Sequence, residues 1–180
     1  MLCGVKFFKN MKKLIIKFGL IGSAAMIGAG LITFAIFGTD ETGYAIGELI
    51  GYLSIMVAMG LIMVAQLNYR KENGGELIFA DAFKMGLGIS TIGGLAFGIY
   101  NAIYVVWIAP DFMKQYFAYS EGIEMTDPSF EAKYQMFVES YGIFASTFGQ
   151  SLLMFLTVFL IGFVVSISGG LIFQQKTVKT

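Results

Sequence analysis

The chain has 180 residues, of which 57% are hydrophobic and 13% charged, an apolar excess that excludes a water-soluble domain, where about a quarter of residues carry charge. Lys plus Arg and Asp plus Glu each number 12, so no basic excess argues for a nucleic-acid partner. Histidine is absent, which removes the commonest metal ligand and the side chain best suited to proton transfer near neutral pH. Zinc hydrolases and His-based triads are thereby excluded, and no motif calls for a cofactor.

Met1 to Asn10 precede Met11-Lys12-Lys13, which looks like a natural start, and the segment is assigned no structural role. Its Cys3 is the one cysteine. It has no partner for an intramolecular disulfide, and its place in a basic segment predicts a reducing compartment. Four apolar stretches follow, at 18–37, 46–67, 85–108 and 150–173, each long enough to cross a hydrocarbon core of about 30 Å. The first follows two lysines as a signal peptide would, but it runs on through Phe37 without a polar cleavage region, which predicts an uncleaved anchor. Pro110 and Pro128 fall outside the spans, where a missing N–H breaks no helix.

Lys6, Lys9, Lys12, Lys13, Lys17, Arg70, Lys71, Lys84, Lys176 and Lys179 flank the spans on one side, and only Lys114 and Lys133 lie on the other. The positive-inside rule predicts cytoplasmic N and C termini. The first outer connection, Gly38 to Tyr44, is a tight acidic turn. The inner one carries Asn73-Gly74-Gly75, then an interfacial lead-in from Glu76 to Lys84.

The connection at 109–142 is the only sizeable extramembrane segment, with six acids against two lysines. A short helix from Asp111 to Ser120 shows Phe112 and Tyr116 on one side. Asp127-Pro128 suits a second helix start, with the acid as N-cap, and Phe130, Tyr134, Phe137, Tyr141 and Phe144 recur at helical spacing. These features predict an all-α architecture, an integral membrane four-helix bundle in a single domain with a small helical extracytoplasmic cap.

In lipid, small residues that admit a neighbouring backbone are the main packing signal. Gly86, Ser90, Gly94, Gly98 and Ala102 step by four along the third span and make it the expected centre of the bundle, with Gly162, Ser166 and Gly170 repeating the pattern on the fourth. Glu48, the one acid placed inside a span, is a functional candidate by default, although an acid in a first helical turn needs no function. With Tyr52, Asn101 and Gln150 at matching depth it forms a candidate polar cluster. Interhelical glue is its plain reading, and a small-ligand or ion site the sharper one. Tyr44, Tyr100, Tyr104 and Trp107 read as an interfacial aromatic belt, and glycine pairs such as Gly93-Gly94 lack the setting of a phosphate loop.

Met11-Lys12-Lys13 before an apolar span, Gly47-Glu48-Leu49-Ile50-Gly51-Tyr52 opening the second, then Gly75 to Gly86 and Pro110-Asp111-Phe112 together resemble the domain-of-unknown-function 4199 family. The likeness runs over nearly the whole chain from Met11, and the ten residues before it depart from the pattern. It implies a small four-span protein of a bacterial inner membrane, and it brings no activity or site residues. The expected function is a non-enzymatic accessory or assembly component of an envelope complex. The alternative is a small transporter or channel subunit, with a membrane enzyme third. Expected partners are the bilayer and a membrane protein or a second copy of the chain.

Overall fold

A computed structural model describes residues 2–38 and 41–175, with side chains described for 10–38 and 43–175. The side chains of Cys3, Lys6, Lys9 and Glu41, and all of Asp40, Lys176 and Lys179, lie outside the described residues. Six α-helices follow one another: α1 (Leu2–Phe37), α2 (Glu41–Glu72), α3 (Phe79–Ile103), α4 (Phe112–Glu121), α5 (Phe130–Tyr141) and α6 (Thr147–Phe173). Four segments, Asn10–Phe37, Gly43–Glu72, Phe79–Ile108 and Thr147–Phe173, are long and apolar enough to cross a membrane.

The helices outrun the expected spans where polar residues continue them. The segment before Met11 is helical from Leu2, so it extends α1 in place of standing apart from the fold. The lead-in from Phe79 to Lys84 is the first turn and a half of α3, because Phe79, Ala82 and Phe83 face α6 and fix the helix there. At its far end α3 widens into one π-helical turn, Tyr104–Ile108, closed by Ala109 N–H donating to the Tyr104 carbonyl (2.8 Å). Pro110 follows it.

α1, α2, α6 and α3 form a ring of neighbours, and α2 also touches α3 across the short diagonal. The core is filled by Met26, Met59, Ile62, Leu77, Met85, Ile89 and Val158, all under 2% exposed. Most of these lie toward the end that carries Lys12, Lys13, Arg70, Lys71 and Lys84, here termed the basic end. At that end Gly74 and Gly75 take positive φ (68° and 92°) and turn the chain from α2 to α3, as only glycine does without strain. Arg70 Nε donates to the Gly75 carbonyl (3.1 Å) and braces the turn. Beyond α6, Gln175 N–H donates to the Leu77 carbonyl (2.9 Å), an isolated antiparallel bridge that ties the end of α6 to this loop.

α4 and α5 make the cap at the opposite end. Phe117 is buried between them, with ring centroids 5.7, 5.5 and 5.0 Å from Phe130, Tyr134 and Phe137. Phe112 and Tyr116 turn the other way and pack on Tyr44 of α2. Asp127 does not cap α5, which starts at Phe130 with Ser129 at the N-cap position. Its carboxylate instead accepts from both the backbone N–H and the hydroxyl of Ser129 (2.7 and 2.6 Å), a local turn that competes with helical capping. Phe144 lies past α5, in the 3-10 turn Gly142–Ala145.

Candidate functional site

The small residues of α3 and α6 meet in one antiparallel register. Ala82 approaches Gly170, Gly86 approaches Ser166, and Ser90 approaches Gly162, so each advance of four residues along α3 is matched by a retreat of four along α6. The pairs are reciprocal: each helix offers a serine hydroxyl to a glycine of the other. Both hydroxyls also donate to their own helix, Ser90 to the Gly86 carbonyl (2.7 Å) and Ser166 to the Gly162 carbonyl (2.6 Å), which leaves no buried donor unpaired. Farther along, a β-carbon at Gly98 would stand 2.9 Å from the Ser151 carbonyl, and one at Gly94 would stand 2.8 Å from the Phe155 ring. Ala102, at the end of the stripe, is only half-buried.

Beside this seam sits a residue that the sequence did not single out. Gln66 of α2 is fully buried, and its side-chain amide donates to the carbonyls of Ala82 in α3 (3.1 Å) and Ser166 in α6 (3.4 Å). One side chain thus spans three helices. Its Oε1 has no hydrogen-bond partner and rests against Gly169, where any β-carbon would collide with it. The opposite amide orientation would turn this oxygen onto two carbonyl oxygens, so the donor must face them. The signal available in the sequence was one uncharged polar side chain inside an apolar span, a turn ahead of Arg70.

The four residues of the expected polar cluster divide into two surroundings, Glu48 and Tyr52 beside Tyr116 of the cap, and Asn101 and Gln150 at the start of α6. Glu48 is exposed on α2 and accepts from the Tyr116 hydroxyl of the cap (3.3 Å). Tyr52 is 56% exposed. Asn101 Nδ2 donates to Ser151 Oγ on α6 (3.3 Å), and Gln150 Nε2 donates to the Ala145 carbonyl just ahead of its own helix (2.9 Å). The structure therefore does not gather them, because α2 turns Glu48 outward toward α4 while α3 turns Asn101 toward α6.

Glu48 and Tyr44 instead seat the cap on the bundle. Tyr44 donates to Gln115 Oε1 (2.9 Å) and packs against Tyr116 and Tyr119. Partial burial raises the Tyr116 hydroxyl above its ordinary pKa, with the Glu48 carboxylate adding to the effect, so this phenol keeps its proton and remains a donor. Within the cap, Lys114 bonds Glu131 (3.3 Å) and lies over the Tyr134 ring. Among the described residues no three acids or cysteines gather as metal ligands.

Four apolar helices joined through a glycine-serine seam, with a helical cap at one end, define a four-span membrane helical bundle. Residues 17–175 match the model of the family described as a protein of unknown function (DUF4199), and the chain belongs to that family. No curated protein and no solved structure matches the chain.

Proposed function

We propose that this protein is a non-enzymatic membrane component that assembles with another membrane protein through its cap, the cap facing the extracytoplasmic side of a bacterial inner membrane and both termini facing the cytoplasm. The observation that carries this reading is the way the bundle interior is closed. Its buried polar groups, Ser23, Thr33, Gln66, Ser90 and Ser166, all donate to backbone carbonyls of the bundle itself. Four of these bonds close within a single helix and Gln66 alone joins neighbouring helices, so that among the described residues only the Gln66 Oε1 is left unpaired and little remains for a solute to bind. The cap, by contrast, has its own buried centre at Phe117 and presents Met136, Tyr141, Ile143 and Phe144 outward, which suits a partner at the membrane surface.

A photo-crosslinking amino acid placed at Met136 in cells tests the reading. The expected result is one discrete protein adduct, absent when the probe is placed at Leu160 on the exposed face of α6. Adducts to lipid alone from both positions, together with solute flux through liposomes holding only the purified protein, would favour the transporter alternative.

A further inference from the structure

Where α1 ends and α4 begins, a cleft of about 210 Å³ opens between Phe34, Ile108, Ala109, Pro110, Asp111 and Gln115. Its depth is fixed by the two spans that end beside it, at Phe37 and Ile108. Trp107, 75% exposed next to it, lies at the level where aromatic belts meet lipid headgroups.

The cleft carries a charge that the fold leaves unused. Asp111 occupies the N-cap position of α4, yet its ψ of 6° departs from the extended backbone of a capping residue, and its side chain makes no capping bond. Among the described residues its carboxylate has neither an ion pair nor a hydrogen-bond donor. Gln115 contributes the opposite polarity. Its Oε1 is engaged by the Tyr44 hydroxyl, so its amide N–H groups remain as free donors. Phe34, held edge to face by Tyr104 (5.6 Å, 87°), adds an aromatic wall of the kind that attracts a cation.

We infer that this cleft binds a protonated amine carried close to an oxyanion, the chemistry of a phosphoethanolamine group. The ammonium sits against Asp111 and Phe34, and the phosphate oxygen accepts from Gln115. A headgroup with a net negative charge and no amine is disfavoured, because Asp111 repels it without compensation. The inference goes beyond the assembly role above and does not rest on it.

The test uses the full chain in maltoside micelles. Dioctanoyl phosphatidylethanolamine and dioctanoyl phosphatidylglycerol are titrated in, and bound lipid is read by native mass spectrometry. The ethanolamine lipid should bind about tenfold more tightly, the equivalent of one favourable charge contact. Asp111→Asn should abolish the difference, whereas Glu124→Gln, which removes a remote exposed acid of the cap, should leave it intact. Equal binding of the two lipids by the wild type overturns the inference. So does a preference that survives Asp111→Asn, or one that Glu124→Gln removes equally well. Water-soluble phosphoethanolamine then separates the sources. Displacement of the lipid at millimolar concentration identifies the free headgroup as sufficient, and failure to displace identifies the membrane lipid as the ligand.

Discussion

The hydroxyl of Ser90 fills the space that a β-carbon would need on Gly162. Such a contact has no slack, so the cost of enlarging a glycine depends on what it strikes. Gly98→Ala would drive a methyl against the Ser151 carbonyl, which is backbone and does not rotate away. Gly88→Ala would strike the Cγ2 methyl of Ile15 (2.8 Å), a side chain that yields more readily than backbone, and Gly60 has nothing within 4 Å. Thermal unfolding in detergent should rank the three, with Gly98→Ala losing about 1–3 kcal/mol, Gly88→Ala less, and Gly60→Ala nothing. A flat ranking would mean that the helices are farther apart than described.

Gln66 and Gly169 should prove coupled. Gly169→Ala forces the buried amide out of place, and Gln66→Ala removes three-helix bonding and leaves a void, so each should destabilise alone. In the double variant the new methyl has room, and the loss should fall short of the sum by about 0.5–3 kcal/mol, the range for residues in contact. Strict additivity in a double-mutant cycle would separate the two residues. Gln66→Leu should cost little, on the order of 1 kcal/mol.

Much of the scaffold could be read beforehand because lipid imposes simple rules. Charge is confined to the ends of the spans, and glycine at four-residue steps marks one face of α3. Which helix meets that face is not written in the spacing, since α1 offers small residues as freely as α6. Gln66 escaped notice for a related reason. Charged groups in a span announce a cost, whereas an amide needs only two carbonyls, and those come from residues far away in sequence. Asp127 misled by chemistry, as the same carboxylate serves a turn or a cap equally well. The grouping of Glu48 with Asn101 relied on depth alone, and depth says nothing about which way a side chain points around a helix.

The cap should loosen in acid ahead of the bundle. Asp127 is held below the usual carboxylate range by the hydroxyl and backbone N–H of Ser129, and Glu131 by Gln135 first and then Lys114. A carboxylate whose folded pKa lies below its unfolded value adds stability above that unfolded value and loses it as pH falls through the folded one. Hydrogen exchange, corrected for its intrinsic pH dependence, should therefore accelerate in α5 as pH drops below the ordinary values of 4.5 for Glu131 and 3.8 for Asp127. α3 should be unchanged. Gln135→Leu should weaken the effect more than Lys114→Met, and equal acceleration in α3 would show the whole protein titrating together.

The proposed orientation is checked by labelling. In a Cys3→Ser background, Glu124→Cys on the cap should react with an impermeant thiol reagent added to spheroplasts, and Glu72→Cys at the end of α2 should react only after lysis. Labelling of the second alone would invert the protein in the membrane.

The seam between α3 and α6 also bears on the order in which the protein is made. Its two halves are the third and the last of the four spans to leave the ribosome, so α3 enters the bilayer with Gly86, Ser90, Gly94 and Gly98 uncovered. A slip of one helical turn would set Ser90 against Ser166 and leave two hydroxyls competing for the space of one, so α6 has a single seat to find. The Gln175 to Leu77 bridge lies just beyond the end of α6 and fits that seat alone. A chain halted before α6 would therefore keep the glycine-serine face of α3 open along the groove that α6 was to fill.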